Sequence, residues 1–207
     1  MNLKTTIMKK VILSWVAIAT FGFVSAQDSE ANKTIVGAKA GVNLATLTGE
    51  DSDGAETRTS IHAGMFVEFK ITDKFSIQPE LLYSAKGTKA SGFIEGIQAD
   101  IVMKLNYIEI PVMFRYYVVD KFSLEAGPYV GFIAAAKMKV DTSMGGGTAD
   151  IKDTIKSTDF GLGVGASYDV LDNLFINFRY SMGLSEVGDS GSGDDIKNSV
   201  VQFGLGY

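Results

Sequence analysis

The sequence predicts an all-β fold: an eight-stranded antiparallel up-and-down transmembrane β-barrel with short periplasmic turns and long extracellular loops. Three observations carry this expectation. The first is period-two alternation. In Leu105–Tyr117, Ile108, Ile110, Val112, Phe114 and Tyr116 share one face and Tyr107, Glu109, Pro111, Met113, Arg115 and Tyr117 the other. After a tight VVDK corner, Phe122, Leu124, Ala126, Pro128, Val130 and Phe132 oppose Ser123, Glu125, Gly127, Tyr129 and Gly131. Successive side chains of a strand point to opposite faces, so this pattern marks strands with unlike environments on their two sides. The runs match the ~9–11 residues a tilted strand needs to cross a bilayer and exceed the ~5–6 usual in soluble sheets.

The second observation is the rhythm of connections: short after strands two, four and six, long after one, three, five and seven. All short turns then fall at one end of the barrel, as in outer-membrane proteins. The third is the aromatics. Outward Phe69, Phe75, Tyr116, Phe122, Tyr168 and Tyr207 fall at the short-turn ends, and Tyr83, Phe132 and Tyr180 near the long-loop ends, the two girdles that membrane interfaces require. A soluble lipocalin-type barrel also alternates, but it would turn its apolar face inward and leave Glu80, Glu109, Arg115, Glu125 and Arg179 outside.

In chain order, 1–26 reads as a secretory signal peptide: basic Lys4, Lys9 and Lys10, an apolar core from Val11 to Val24, and small residues Ser25 and Ala26 before Gln27. Met8 is an equally good start. The apolar core is short of the ~20 residues of a spanning helix. A periplasmic lead-in covers 27–34 and the barrel 35–207. Strand one is Ile35–Leu44, followed by a loop over 45–59; strand two is Ser60–Ile71, and strand three Phe75–Lys86. A loop at Gly87–Met103 precedes strands four and five, and a second at Lys137–Ser157 carries Gly145-Gly146-Gly147. Strand six is Thr158–Asp169, strand seven Leu174–Leu184 and strand eight Asn198–Tyr207, after a loop at Ser185–Lys197.

Composition narrows the function. The chain has no cysteine, hence no disulfide, thiolate metal site or acylation cysteine. Its net charge of −5 becomes more negative once the three leader lysines are gone, which argues against nucleic acid as a partner. High glycine (23) with only 3 prolines suits β structure. All three prolines, Pro79, Pro111 and Pro128, nevertheless fall inside strands. A closed barrel has no edge to receive them, so bulges or missing ladder bonds are expected there.

The prolines also carry a resemblance. Ile77-Gln78-Pro79-Glu80-Leu81-Leu82-Tyr83-Ser84, Tyr107-Ile108-Glu109-Ile110-Pro111 and Glu125-Ala126-Gly127-Pro128-Tyr129 resemble the recurring motifs of the PorT-type outer-membrane β-barrel family, small eight-stranded barrels like those of OmpX and OmpA. The resemblance implies an integral outer-membrane location and no catalytic motif. One family member is associated with a protein-secretion system, which leaves an accessory secretion role open.

The best-defined chemical constellation is a lumen charge network of Glu68, Glu80, Glu109, Arg115, Glu125 and Arg179, with Arg115 across the hairpin from Glu125. Eight strands enclose a space that side chains fill, so these charges pair as a plug rather than line an ion path. His62, the single histidine, is placed near the extracellular rim; with Ser84 or Ser181 it is the one candidate for lipid-modifying chemistry, but no base and orienting acid share its spacing. Gly161, Gly163 and Gly165 lie on one strand face with no helix after them, which reads as room for Arg179 or Tyr129 rather than a nucleotide loop. The loop acids Asp51, Asp53 and Glu56, and Asp189, Asp194 and Asp195, match no EF-hand spacing and read as solvated. No catalytic residue, cofactor or metal is expected. The expected partners are outer-membrane lipids and lipopolysaccharide, the barrel-assembly machinery reading the C-terminal strand, and a protein met through the extracellular loops.

Overall fold

The computed structural model describes residues 33–49, 52, 54–94, 96–188 and 196–207. The proposed leader, the lead-in up to residue 32 and the acidic positions Asp51, Asp53, Asp189, Asp194 and Asp195 lie outside the described residues. The elements are β1 (Thr34–Thr48), β2 (Glu56–Thr72), β3 (Phe75–Ile94), β4 (Ile97–Val119), β5 (Phe122–Thr142), β6 (Gly145–Asp150), a 3-10 turn (Lys152–Thr154), β7 (Thr158–Leu171), β8 (Leu174–Gly183) and β9 (Lys197–Gly206). All neighbours pair antiparallel, and β1 meets β9 from Lys39↔Gly206 to Thr48↔Lys197. Setting β6 aside, eight strands therefore form a closed ring with no free edge.

The alternation decides the barrel's polarity. Ile61, Met65, Val164 and Leu205 are between 54 and 61% exposed on the outer wall, whereas Glu80, Lys86 and Ser84 are wholly buried inside. A continuous exposed apolar band around a charged interior is the inverse of a soluble barrel and suits a hydrocarbon solvent.

The three short turns share one construction. Thr72↔Phe75, Val119↔Phe122 and Leu171↔Leu174 each close a two-residue hairpin, and each follows a register irregularity at Lys70/Thr72, Tyr117/Val119 and Asp169/Leu171. An extra residue adds local twist, which helps a strand turn back at a barrel rim.

The prolines leave their mark as skipped pairing rather than bulges. Cα pairing jumps from Phe66↔Glu80 to Phe69↔Ile77, from Pro79↔Val112 to Leu82↔Glu109, and from Pro111↔Tyr129 to Phe114↔Ala126, each time without a register shift. Each missing donor thus costs a short interruption in one ladder while the strands keep step.

The long connections differ from expectation. Gly87–Met103 is not a loop: β3 and β4 run on through it in register, from Gly87↔Lys104 to Ile94↔Ile97. Ala45–Thr48 and Glu56–Thr59 likewise belong to β1 and β2. Within Lys137–Ser157, β5 continues to Thr142 and the triple glycine opens β6, which pairs back from Thr142↔Gly145 to Lys137↔Asp150. The result is a four-stranded extension, β3-β4-β5-β6, rising beyond the ring. Pairing with a neighbour satisfies the backbone there even where the side-chain pattern carries no strand signal.

Candidate functional site

The lumen is filled in tiers. Nearest the short turns, Arg115 donates to Glu68 Oε2 at 2.8 Å, Gln78 Oε1 at 2.8 Å and Ser123 Oγ at 2.9 Å. Glu68 Oε1 accepts from Ser76 Oγ and Tyr117 Oη, both at 2.6 Å. Arg115 also lies over the ring of Phe175, which meets Phe66 edge-on with centroids 5.4 Å apart. Glycine makes room for both rings: a Cβ at Gly37 would come within 2.3 Å of Phe66, and one at Gly206 within 2.1 Å of Phe175.

The middle tier centres on Arg179. Its guanidinium bridges Glu80, at 2.7 and 2.9 Å, and Glu125, at 2.7 Å, and Lys39 reaches Glu80 at 3.3 Å. Beside it, Asn43 holds a hydrogen-bonded cluster: His62 Nδ1 shares a 2.7 Å bond with Asn43 Oδ1, Gln202 donates to that same oxygen at 3.1 Å, and Asn43 Nδ2 donates to Ser84 Oγ at 3.1 Å.

Toward the long hairpins, Lys86 pairs with Glu109 and, at 3.1 Å, with Asp159. Its ammonium sits 4.5 Å from the Tyr129 ring centroid and 5.2 Å from that of Tyr107. Asp159 also accepts from Tyr129, Asn198 and Ser185. Above this tier the mouth is closed by apolar side chains: Leu47, Leu105, Tyr107, Ile133 and Ala136 from the strands, with Ile155 and Val187 from the connections. Those two connections are stitched together by a bridge between Ile155 and Gly188, by the Lys156 N–H donating to the Val187 carbonyl at 2.9 Å, and by a Lys156–Glu186 ion pair.

Glu68, Glu80, Glu109, Arg115, Glu125 and Arg179 are thus all buried in the lumen and ion-paired. One expected pairing differs. Arg115 and Glu125 are direct cross-strand neighbours, yet Arg115 swings to Glu68 and Glu125 is taken by Arg179. A lumen packed from all sides offers cross-barrel partners with better geometry than the adjacent strand. Lys39, Lys86 and Asp159 were missed as members, although the alternation puts each of them on the inward face; four cations and five carboxylates are buried in all among the described residues.

His62 lies level with the Tyr83 row near the long-hairpin side, one residue from the partner of Tyr83, but it is buried rather than polar surface. It is 1% exposed on the inward face, oriented by the Asn43 amide, while Ser84 takes its hydrogen bond from Asn43. The glycine face of β7 opens space as its spacing implied: a Cβ at Gly161 would meet the Tyr129 ring at 2.7 Å, and one at Gly163 would sit 3.3 Å from Arg179 Cδ. Of the aromatic positions, Tyr83, Tyr116, Phe132, Tyr168, Tyr180 and Tyr207 are exposed on the outer wall, and Phe69, Phe75 and Phe122 are half-buried there. Among the described residues, no three acids or histidines come together as a metal cage.

The chain overlays the crystal structure of Ail, the attachment invasion locus protein of Yersinia pestis, with a TM-score of 0.51 at 13% identity, covering 86% of this chain and 98% of that one. Looser overlays reach Neisserial surface protein A (TM-score 0.48, 12% identity, 84% and 97% covered) and OprG of Pseudomonas aeruginosa (0.41, 15%, 88% and 98%). At such identity the likeness to Ail shows the fold alone. Comparison with curated proteins finds no match. The family model described as "Outer membrane protein beta-barrel domain" matches residues 25–188. With most of its length matched and a closed ring around a charged lumen, the chain belongs to the outer membrane protein β-barrel domain family.

Proposed function

We propose that this is a non-enzymatic integral outer-membrane protein whose lumen is a permanent side-chain plug and whose extracellular hairpins are its working surface. The observation that carries this is the buried lattice of Lys39, Lys86, Arg115 and Arg179 with Glu68, Glu80, Glu109, Glu125 and Asp159. Opening a path would strand charges in a low-dielectric interior, a large cost unless all of them re-solvate together. The chain reaches the membrane through a cleaved leader over 1–26, and its C-terminal strand engages the barrel-assembly machinery. The setting of His62 supports the non-enzymatic reading, since an amide and not a carboxylate orients the ring. Proteoliposomes carrying the chain are expected to retain small sugars; rapid swelling in an isotonic sugar solution would overturn the plug.

The PorT-like motifs around Pro79, Pro111 and Pro128 favour a second reading, an accessory component of a secretion apparatus. Extraction from native membranes in mild detergent separates the two. A translocon subunit brings stoichiometric partners, whereas a surface-binding barrel elutes alone or with lipid.

A further inference from the structure

The outer wall is apolar through its middle, but above one level on β2–β5 it turns basic. Tyr83, Ile108 and Phe132 stand side by side in register on β3, β4 and β5. Beyond them toward the long hairpins, Lys104 of β4 shares the face of Ile108 and pairs directly with Lys137 of β5. The register shift between Asn106 and Tyr107 resets β5, so that Ala136 packs inward and Lys137 faces out. Arg58 of β2 donates to the Lys86 carbonyl at 2.5 Å, and Gly87 of β3, opposite Lys104, contributes no side chain to this face. Lys152 of the 3-10 turn lays its ammonium on the Ala134 carbonyl at 3.1 Å.

Among the described residues these cations, Arg58, Lys104, Lys137 and Lys152, form no close ion pair. Asp150 stands opposite Lys137 in register, but its Oδ1 accepts the Lys152 backbone N–H at 2.9 Å. Like charges directly opposed across a ladder destabilise it, and the single carboxylate in register with the pair, Asp150, is turned to the Lys152 backbone, so a bound anion would relieve Lys104↔Lys137. The depth of the patch, just beyond an exposed aromatic row, is that of lipid headgroups.

We propose that Arg58, Lys104, Lys137 and Lys152 bind the phosphate groups of an outer-leaflet glycolipid, the lipid A portion of lipopolysaccharide. This deepens the proposed function and rests on its orientation, with the long hairpins outside. Acyl chains would lie along the apolar wall beneath Tyr83 and Phe132 while the phosphates meet the ammonium groups.

The test uses the full barrel refolded in uncharged detergent, with bound lipid counted by native mass spectrometry. Phosphorylated lipid A is expected to bind more tightly than its dephosphorylated form. The triple variant Lys104→Gln/Lys137→Gln/Lys152→Gln, checked for folding by heat-modifiable gel mobility, should lose affinity on the order of a hundredfold. Equal binding of the two lipids, or an unimpaired variant, overturns the site. Full competition by inorganic phosphate overturns the glycolipid as occupant in favour of a free anion. The outcome is separable from the plug: indiscriminate lipid binding by a sugar-tight barrel sinks the patch alone, and phosphate-selective binding by a leaky barrel sinks the plug alone.

Discussion

The two ends of the lumen are closed by different physics. The end near the short turns and the middle of the lumen are held by charges that the wall strands themselves supply: Arg115 with Glu68, and Arg179 with Glu80 and Glu125. The mouth is held by apolar contact, with Ile155 and Val187 brought in by connections that cross it. A charge lattice is rigid and unforgiving, because removing one partner leaves another buried and unpaired. An apolar cap on loop residues can be loosened a little at a time. Stability is therefore concentrated in the charged lumen and adaptability at the mouth and in the hairpins above it.

The largest expected effect is at Arg179. Arg179→Ala leaves Glu80 and Glu125 with Lys39 as the nearest cation and should cost about 3–5 kcal/mol in urea unfolding of the refolded barrel. Arg115→Ala should cost less, about 2–3 kcal/mol, because Glu68 keeps its bonds from Ser76 and Tyr117. If the two variants proved equal, the lattice would be acting as one unit and the tier description would need revision.

Much of this was legible in the sequence, for a definite reason. Within the membrane the two faces of each strand meet opposite environments, so alternation fixes which residues of β4 and β5 face outward, and the charges among the inward set fix the plug. The same rule places Lys39, Lys86 and Asp159 on the inward face. Beyond the membrane the rule fails. From Gly87 to Met103 polar and apolar residues mix on each face, and what keeps the strands in step is mainly cross-strand pairing. Gly145–Gly147 is the extreme case, a strand whose side chains carry no signal at all. The pairing of Arg115 with Glu68 was also out of reach, since period-two reasoning sees adjacent strands and not the far side of a lumen.

At the mouth the expected effects are smaller. Ile155→Ala combined with Val187→Ala should cost about 1–2 kcal/mol, below a deep-core deletion because the loops can settle into the space. It should speed protease cleavage of the connections while leaving the ring folded; a loss as large as that of Arg179→Ala would contradict the contrast between the two ends. The smallest effect is at Glu186. The hydrogen bond and charge of Lys156 hold its carboxyl below the usual glutamate value. The ion pair's contribution is therefore complete above about pH 4.3, the ordinary glutamate value, and lost as pH falls through the depressed one. Glu186→Gln should remove that acid-side dependence of loop cleavage and leave behaviour at neutral pH unchanged.

The central claim is that the lumen is a solid plug, and single-channel recording in planar bilayers tests it most directly. The purified chain should give a flat baseline at neutral pH, with no stable openings at any applied voltage. Uniform, long-lived conductance steps that scale with salt concentration would contradict it, because a buried lattice of ion pairs leaves no room for a hydrated ion.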